Sequence, residues 1–140
     1  MSTGHEPARG RCVRVGSGEP LPAAGGEVLV GGAETAERLS VLHSTTPPGD
    51  EVPAHVHHDL DECFFVLAGH YRVHCGEDTF EAEPGSLVYL PRQVPHSYQV
   101  GDTPGRKLII GVPAGLEDFF RDLGDVDLDE LQHRHGVTFL

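Results

Sequence analysis

Ten residues, PAHVHHDLDE (53–62), contain three histidines and three carboxylates. Imidazole nitrogens and carboxylate oxygens are the donors that hold first-row transition metals. In a strand, residues i and i+2 point to one face. His55 and His57 therefore project together from AHVH, while Val56 and His58 point the other way. Ideal strand geometry sets their Cα atoms roughly 6.5 Å apart. Two imidazoles can then meet on one ion at bonds of about 2.1 Å. HDLD reads as a turn, in which His58, Asp59 and Asp61 face solvent. Glu62 opens the next apolar run, ECFFVLA, and the chain's return brings its carboxylate back towards the two histidines. A carboxylate at the head of an apolar run needs a partner. A further candidate is His96, which opens a strand within PGSLVYLPRQVPHSYQV (84–100) and shares its face with Tyr98 and Val100. Phe64 and Val66 share the face of Glu62. Together with Tyr98 they either fill a core or line an apolar pocket around an ion. In the second case the Tyr98 hydroxyl is a hydrogen-bond donor or proton relay.

The elements that must position these residues are short. RCVRV (11–15), EVLV (27–30) and RLSVLHST (38–45) read as strands. GSGEPLPAAGG (16–26) reads as a loop and GGAETAE as a turn or one helical turn. From residue 53 to 112 follow AHVH, ECFFVLA, YRVHC, DTFEAE, SLVYL, HSYQV and RKLIIGV, separated by Gly, Pro and Asp. Short strands with such punctuation predict an all-β sandwich or barrel. In SLVYL the alternation leaves open whether Val88 and Leu90 or Leu87 and Tyr89 face inward. The tail changes period. Leu116, Phe119, Phe120 and Leu123 recur at helical spacing before Gly124, and DVDLDELQHRHG (125–136) predicts a second helix capped by Asp125 or Asp127 and stopped by Gly136. The first helix is expected to pack on the barrel. Residues 1–10 are expected to be disordered and 11–140 to form a single domain.

The chain has 140 residues and a formal charge of −12, which argues against nucleic-acid or anionic-membrane partners. No stretch approaches the roughly 18 apolar residues of a membrane span, and the first residues lack the apolar core of a secretion signal. The three cysteines, Cys12, Cys63 and Cys75, are an odd number at wide spacing, so reduced thiols and a cytoplasmic location are expected. His43, His70 and His74 lie in alternating strands and read as surface or satisfied core residues.

GDEVPAHVHHDLDECFFVLAG (49–69) resembles the first cupin motif, Gly-x5-His-x-His-x(3–4)-Glu-x6-Gly, at every fixed position. GSLVYLPRQVPHSYQV (85–100) resembles the second, Gly-x5-Pro-x-Gly-x2-His-x3-Asn, with Gln93 where the motif has Gly and Val100 where it has Asn. The lead-in VLHSTTPPG and the close PAGLEDFFRDLG are similar to small single-domain, quercetin dioxygenase-like cupins, and the resemblance spans residues 25–140. It implies an all-β double-stranded β-helix, a jelly-roll barrel of about six to eight strands, with a short C-terminal helical segment. It also implies His55, His57, Glu62 and His96 as ligands of one divalent transition metal per chain: Fe, Mn, Ni, Co, Cu or Zn. The ligand set alone does not choose among them. The implied activity is a dioxygenase acting on a small apolar or aromatic enol or phenol, with Glu62 as ligand and base and Tyr98 as a second catalytic group. A non-redox isomerase, cyclase, dehydratase or decarboxylase would use the same ligands, and a sensor without turnover would keep the fold alone. The resemblance further implies a homodimer formed through the N-terminal strands.

Overall fold

The computed structural model describes residues 8–140. The segment expected to be disordered (1–10) therefore lies, for its first seven residues, outside the described residues; residues 8–10 have no regular secondary structure.

The strands are β1 (Glu19–Leu21), β2 (Gly26–Val30), β3 (Ser40–Thr46), β4 (Glu51–His57), β5 (Asp61–Ala68), β6 (Tyr71–Cys75), β7 (Asp78–Ala82), β8 (Leu87–Leu90), β9 (His96–Val100), β10 (Gly105–Val112) and β11 (Val137–Phe139). Among the described residues three short α-helices, α1 (Gly32–Thr35), α2 (Leu116–Asp122) and α3 (Leu128–His135), and a 3-10 turn at Pro22–Ala24 join them. The strands form two antiparallel sheets. One has six strands in the order β1-β2-β3-β10-β5-β8, the other five in the order β11-β4-β9-β6-β7. Consecutive strands from β3 to β10 mostly cross between sheets, as expected of a jelly roll.

The core lies between the sheets. Leu42, Phe64, Val66, Tyr71 and Val73 are fully buried there. In β8 the inward phase is Val88 and Leu90, while Leu87 and Tyr89 are exposed, which settles the register the alternation left open. A smaller cluster of Phe119, Leu131 and Val137 gathers α2, α3 and β11 against the barrel.

Two expectations need correction, and one strand has no counterpart in the sequence pattern. Residues 11–14 are not a strand: no neighbouring strand pairs with them, and the chain instead turns at Arg14, whose carbonyl accepts from the Ser17 amide at 3.0 Å. The Gly/Pro loop 16–26 contains β1, which pairs with β2 as a hairpin. β11 follows directly on the Gly136 cap and pairs with β4 through Val137↔His57 and Phe139↔His55. Three residues are too few to show a period.

The helices end as their cap residues dictate. The Asp127 carboxylate accepts from the Glu130 amide at 2.8 Å, and Gly136 closes α3 in the left-handed region at φ 59°. α2 is anchored by a buried carboxylate: Glu117 accepts from the Gly32 amide at 2.6 Å and the Gly115 amide at 3.0 Å.

Gln93 adopts φ 69° in the turn between β8 and β9. This is where the second motif has glycine, so the backbone keeps the glycine conformation with a side chain attached. The side chain is put to use. Its amide donates to the His58 carbonyl at 3.0 Å, and its oxygen meets His58 Nδ1 at 2.9 Å. His58 Nε2 in turn meets the Thr138 hydroxyl at 2.8 Å, linking β4, the turn and β11.

Two stability outcomes follow. Glu117→Ala leaves two backbone donors without their acceptor and is expected to destabilise the fold by about 2–3 kcal/mol, read from urea unfolding midpoints. Gln93→Ala retains the left-handed strain and loses both bonds, so it should unfold before Gln93→Gly by about 1 kcal/mol. Equal midpoints would show that the turn does not hold this conformation in solution.

Candidate functional site

Four strands deliver polar side chains into the barrel interior. β4 supplies His55 and His57, β9 supplies His96 and Tyr98, β5 supplies Glu62, and β10 supplies Lys107. The pairing of β4 with β9 sets His55 directly opposite His96. An irregularity in β4 between Val52 and His55, a span that contains Pro53, resets the strand just before the histidines.

The three imidazoles are nearly inaccessible, at 7%, 5% and 4% exposure for His55, His57 and His96. One ligand atom from each lies within 4.8 Å of the others. Glu62 Oε1 stands 3.6 Å from His57 Nε2 and 3.7 Å from His96 Nε2. These separations exceed hydrogen-bond reach. The four groups therefore converge without satisfying one another, in a place where polar atoms need a partner. His55 Nδ1 donates to the Pro53 carbonyl at 2.8 Å, which fixes that tautomer and leaves Nε2 a free lone pair.

The electrostatics favour neutral rings. Burial lowers the pKa of His55. Burial, reinforced by His55 and His58, brings His57 down to about 4. Burial, reinforced by His55 and His57, brings His96 to about 3. Burial pushes the Glu62 carboxyl up to about 7, opposed by the positive charge of Lys107. Three neutral imidazoles and a carboxylate form an N3O donor set, and this chemistry fits a divalent transition ion. The three histidines could hold such an ion.

The cavity beside them has a volume of about 570 Å³. Its apolar wall includes Val52, Ile109, Leu116, Phe119 and Phe139. Two of these rings also flank the histidines: Phe139 lies 5.6 Å from His55 and Phe119 5.7 Å from His57, centroid to centroid. Helix α2, expected only to pack on the barrel, thus also walls the cavity. Tyr98 lines the cavity, and burial together with Glu62 and Tyr71 raises its pKa. Phe64 and Val66 have no exposure and stand outside the cavity wall, in the core; the Phe64 ring backs Tyr98 at 6.0 Å. His58 is held by Gln93 and Thr138, away from the three clustered histidines. Asp61 pairs with Arg92 on the surface. His43 is buried beside Glu27 and Arg106, while His70 and His74 meet Glu81 and Thr79. The three cysteines are free thiols.

Lys107 is the residue that sequence reasoning missed. It is 1% exposed, and its Nζ donates to the Tyr98 hydroxyl at 3.0 Å. Burial lowers its pKa to about 8, against the opposing pull of Glu62. The available signal was the alternation in RKLIIGV, which puts Lys107 on the buried phase with Ile109.

Comparison with known proteins agrees with this architecture. The Cupin_2 family profile, "Cupin domain", matches residues 42–111. Quercetin 2,3-dioxygenase of Bacillus subtilis (strain 168) is 30% identical over 91 residues, covering 65% of this chain and 27% of that protein. The uncharacterized protein MJ1618 of Methanocaldococcus jannaschii is 25% identical over 77 residues, covering 54% of this chain and 62% of that one. The chain thus spans less than two thirds of the length of either relative. Among solved structures, KdgF from Halomonas sp. aligns with a TM-score of 0.58 at 15% identity, over 64% of this chain and 77% of that chain, a likeness of fold. The DMSP lyase DddQ from Ruegeria pomeroyi DSS-3 aligns at 0.51 with 26% identity, over 56% of this chain and 40% of that chain. With the family profile matched across both histidine strands and two antiparallel sheets enclosing the site, the chain belongs to the cupin family.

Proposed function

We propose that the protein is a mononuclear metal-dependent enzyme, an oxygenase that acts on a small apolar or aromatic enol or phenol. The observation that supports this reading is the convergence of three neutral, buried imidazoles and the Glu62 carboxylate beside an apolar cavity. His55, His57, Glu62 and His96 would hold the ion. When bound, a transition ion supplies Lewis acidity and, for a redox-active metal, a route to O2.

The chain's own residues divide the remaining work. Val52, Leu116, Phe119 and Phe139 hold the apolar body of the substrate and keep water away from it. Glu62 Oε1 is placed to take the proton of the substrate hydroxyl. Tyr98, fixed by Lys107, presents its phenol oxygen to the same space. The similarity to quercetin 2,3-dioxygenase favours the oxygenase within this class. The similarity to a DMSP lyase favours a second reading, a non-redox lyase or isomerase on the same ligands.

Two experiments test the proposal. Protein purified without chelators or a metal affinity tag should carry about one Fe, Mn, Ni, Co or Cu per chain and consume O2 with members of an enol and phenol panel. Equal turnover under anaerobic conditions removes the oxygenase and leaves the second reading. Absence of metal after reconstitution removes both. Separately, His57→Ala or His96→Ala should strip the ion and leave the circular-dichroism spectrum of the barrel unchanged. His58→Ala should keep the ion, because His58 faces Gln93 and Thr138. Metal lost from His58→Ala and kept by His57→Ala would refute the ligand assignment.

A further inference from the structure

The cavity holds a second polar feature to which the metal reading gives no contact with substrate. Lys107 enters from the middle of β10, and its ammonium lies over three aromatic rings: 4.5 Å from the Tyr98 centroid, 4.9 Å from Tyr71 and 5.7 Å from Phe64. Its hydrogen-bond partner is the Tyr98 hydroxyl, and two of its three N–H donors remain after that bond. Among the described residues no carboxylate forms an ion pair with it. Glu62, which also lines the cavity, is turned towards His57 and His96.

A fold does not need such a lysine. Apolar side chains of similar volume fill a core at equal or better stability, and an unpaired buried cation is costly. The cavity is the difference: Lys107 lies in its wall, so a ligand can supply the direct ion pair that Glu62, turned towards the histidines, does not. The charges of the interior agree. A divalent ion on three neutral imidazoles and one carboxylate leaves one positive charge and Lys107 adds a second; the exposed carboxylate of Asp50, which also lines the cavity, offsets one of them from the solvent side. The walls are otherwise mostly apolar. A small molecule with an apolar body and an anionic head complements both.

We infer that Lys107 is the anion-recognition residue of this cavity, and that the natural substrate, the small apolar or aromatic enol or phenol of the proposed function, also carries a carboxylate whose head is held by the Lys107 ammonium. After its bond to Tyr98 the ammonium keeps two donors for a carboxylate, which it meets as a point charge and not as a planar fork. The three rings stabilise the ammonium through their faces and hold it in place while the cavity is empty of ligand. Tyr98 is then a positioning residue, which orients the ammonium through its hydroxyl. This inference rests on the reading of the cavity as a substrate site.

The test compares benzoate with benzamide, which has nearly the same shape and no charge, by calorimetric titration. Wild type and Lys107→Met are titrated in both the zinc-loaded and the metal-free form, with zinc content measured beforehand. Wild type should bind benzoate at least about tenfold more tightly than benzamide. Lys107→Met should lose about tenfold of that preference in both forms, keep its affinity for benzamide, and melt no lower than wild type. Tyr98→Phe retains the ammonium without its orienting bond and should keep part of the preference, between wild type and Lys107→Met. Should Lys107→Met not fold, Lys107→Gln removes the charge, keeps a polar contact to Tyr98, and makes the same comparison. A preference unchanged in the lysine variants, or absent from wild type, overturns the inference. Failure of wild type to bind zinc would defeat the metal reading alone, because the metal-free arm still reads Lys107.

Discussion

A jelly roll hides one face of every strand, and here the hidden face must accommodate three imidazoles, a carboxylate and an ammonium. Their removal from water is the constraint from which the rest of the site follows. It forces the imidazoles into the neutral form, since the charged form is disfavoured at 4–7% exposure. It pushes the Glu62 carboxyl up and the Lys107 ammonium down, so that each is moderated by the other's charge. The groups that suffer most from burial are the same groups that give the cavity its chemistry.

Strand pairing turns this constraint into geometry. His55 and His57 are two residues apart on β4, and β9 brings His96 opposite His55. β5 and β10 lie in the other sheet, so Glu62 and Lys107 approach from across the barrel. Each strand contributes its inward phase, and a one-residue slip in any of them would turn its polar group out to solvent. The clamp formed by Gln93, His58 and Thr138 bears on this register, since it ties the end of β4 to the β8–β9 turn and to β11. The strained φ of Gln93 is the local cost of that clamp.

Much of this arrangement can be read from the chain. The strands from 53 to 112 follow from alternation and punctuation, and the histidine spacing identifies the face on which His55 and His57 meet. What resisted reading has physical causes. RCVRV alternates like a strand, yet a strand needs a neighbour, and sequence period does not report neighbours. β11 is three residues long, below the length at which a period exists. Phe64 and Val66 share a face with Glu62, but that face runs from the cavity into the solid core, and only packing shows where one gives way to the other. Lys107 hides for a different reason: lysine is so seldom buried that its place in the alternation invites the reading of a surface residue.

The polar groups stand on the barrel strands, as do the wall residues Val52 and Ile109, but the aromatic part of the wall comes from elsewhere in the chain. Histidines, Glu62 and Lys107 stand on β4, β5, β9 and β10, whereas Phe119, Phe120, Leu123 and Phe139 stand on a C-terminal stretch that docks from outside. That division gives the molecule a modular chemistry. Exchanges at Phe120 and Leu123, which add to the wall from α2 and its end, can reshape what the chamber admits while His55, His57, Glu62, His96 and Lys107 keep their places on the barrel, so one barrel can change the shape of its interior by rewriting part of a tail.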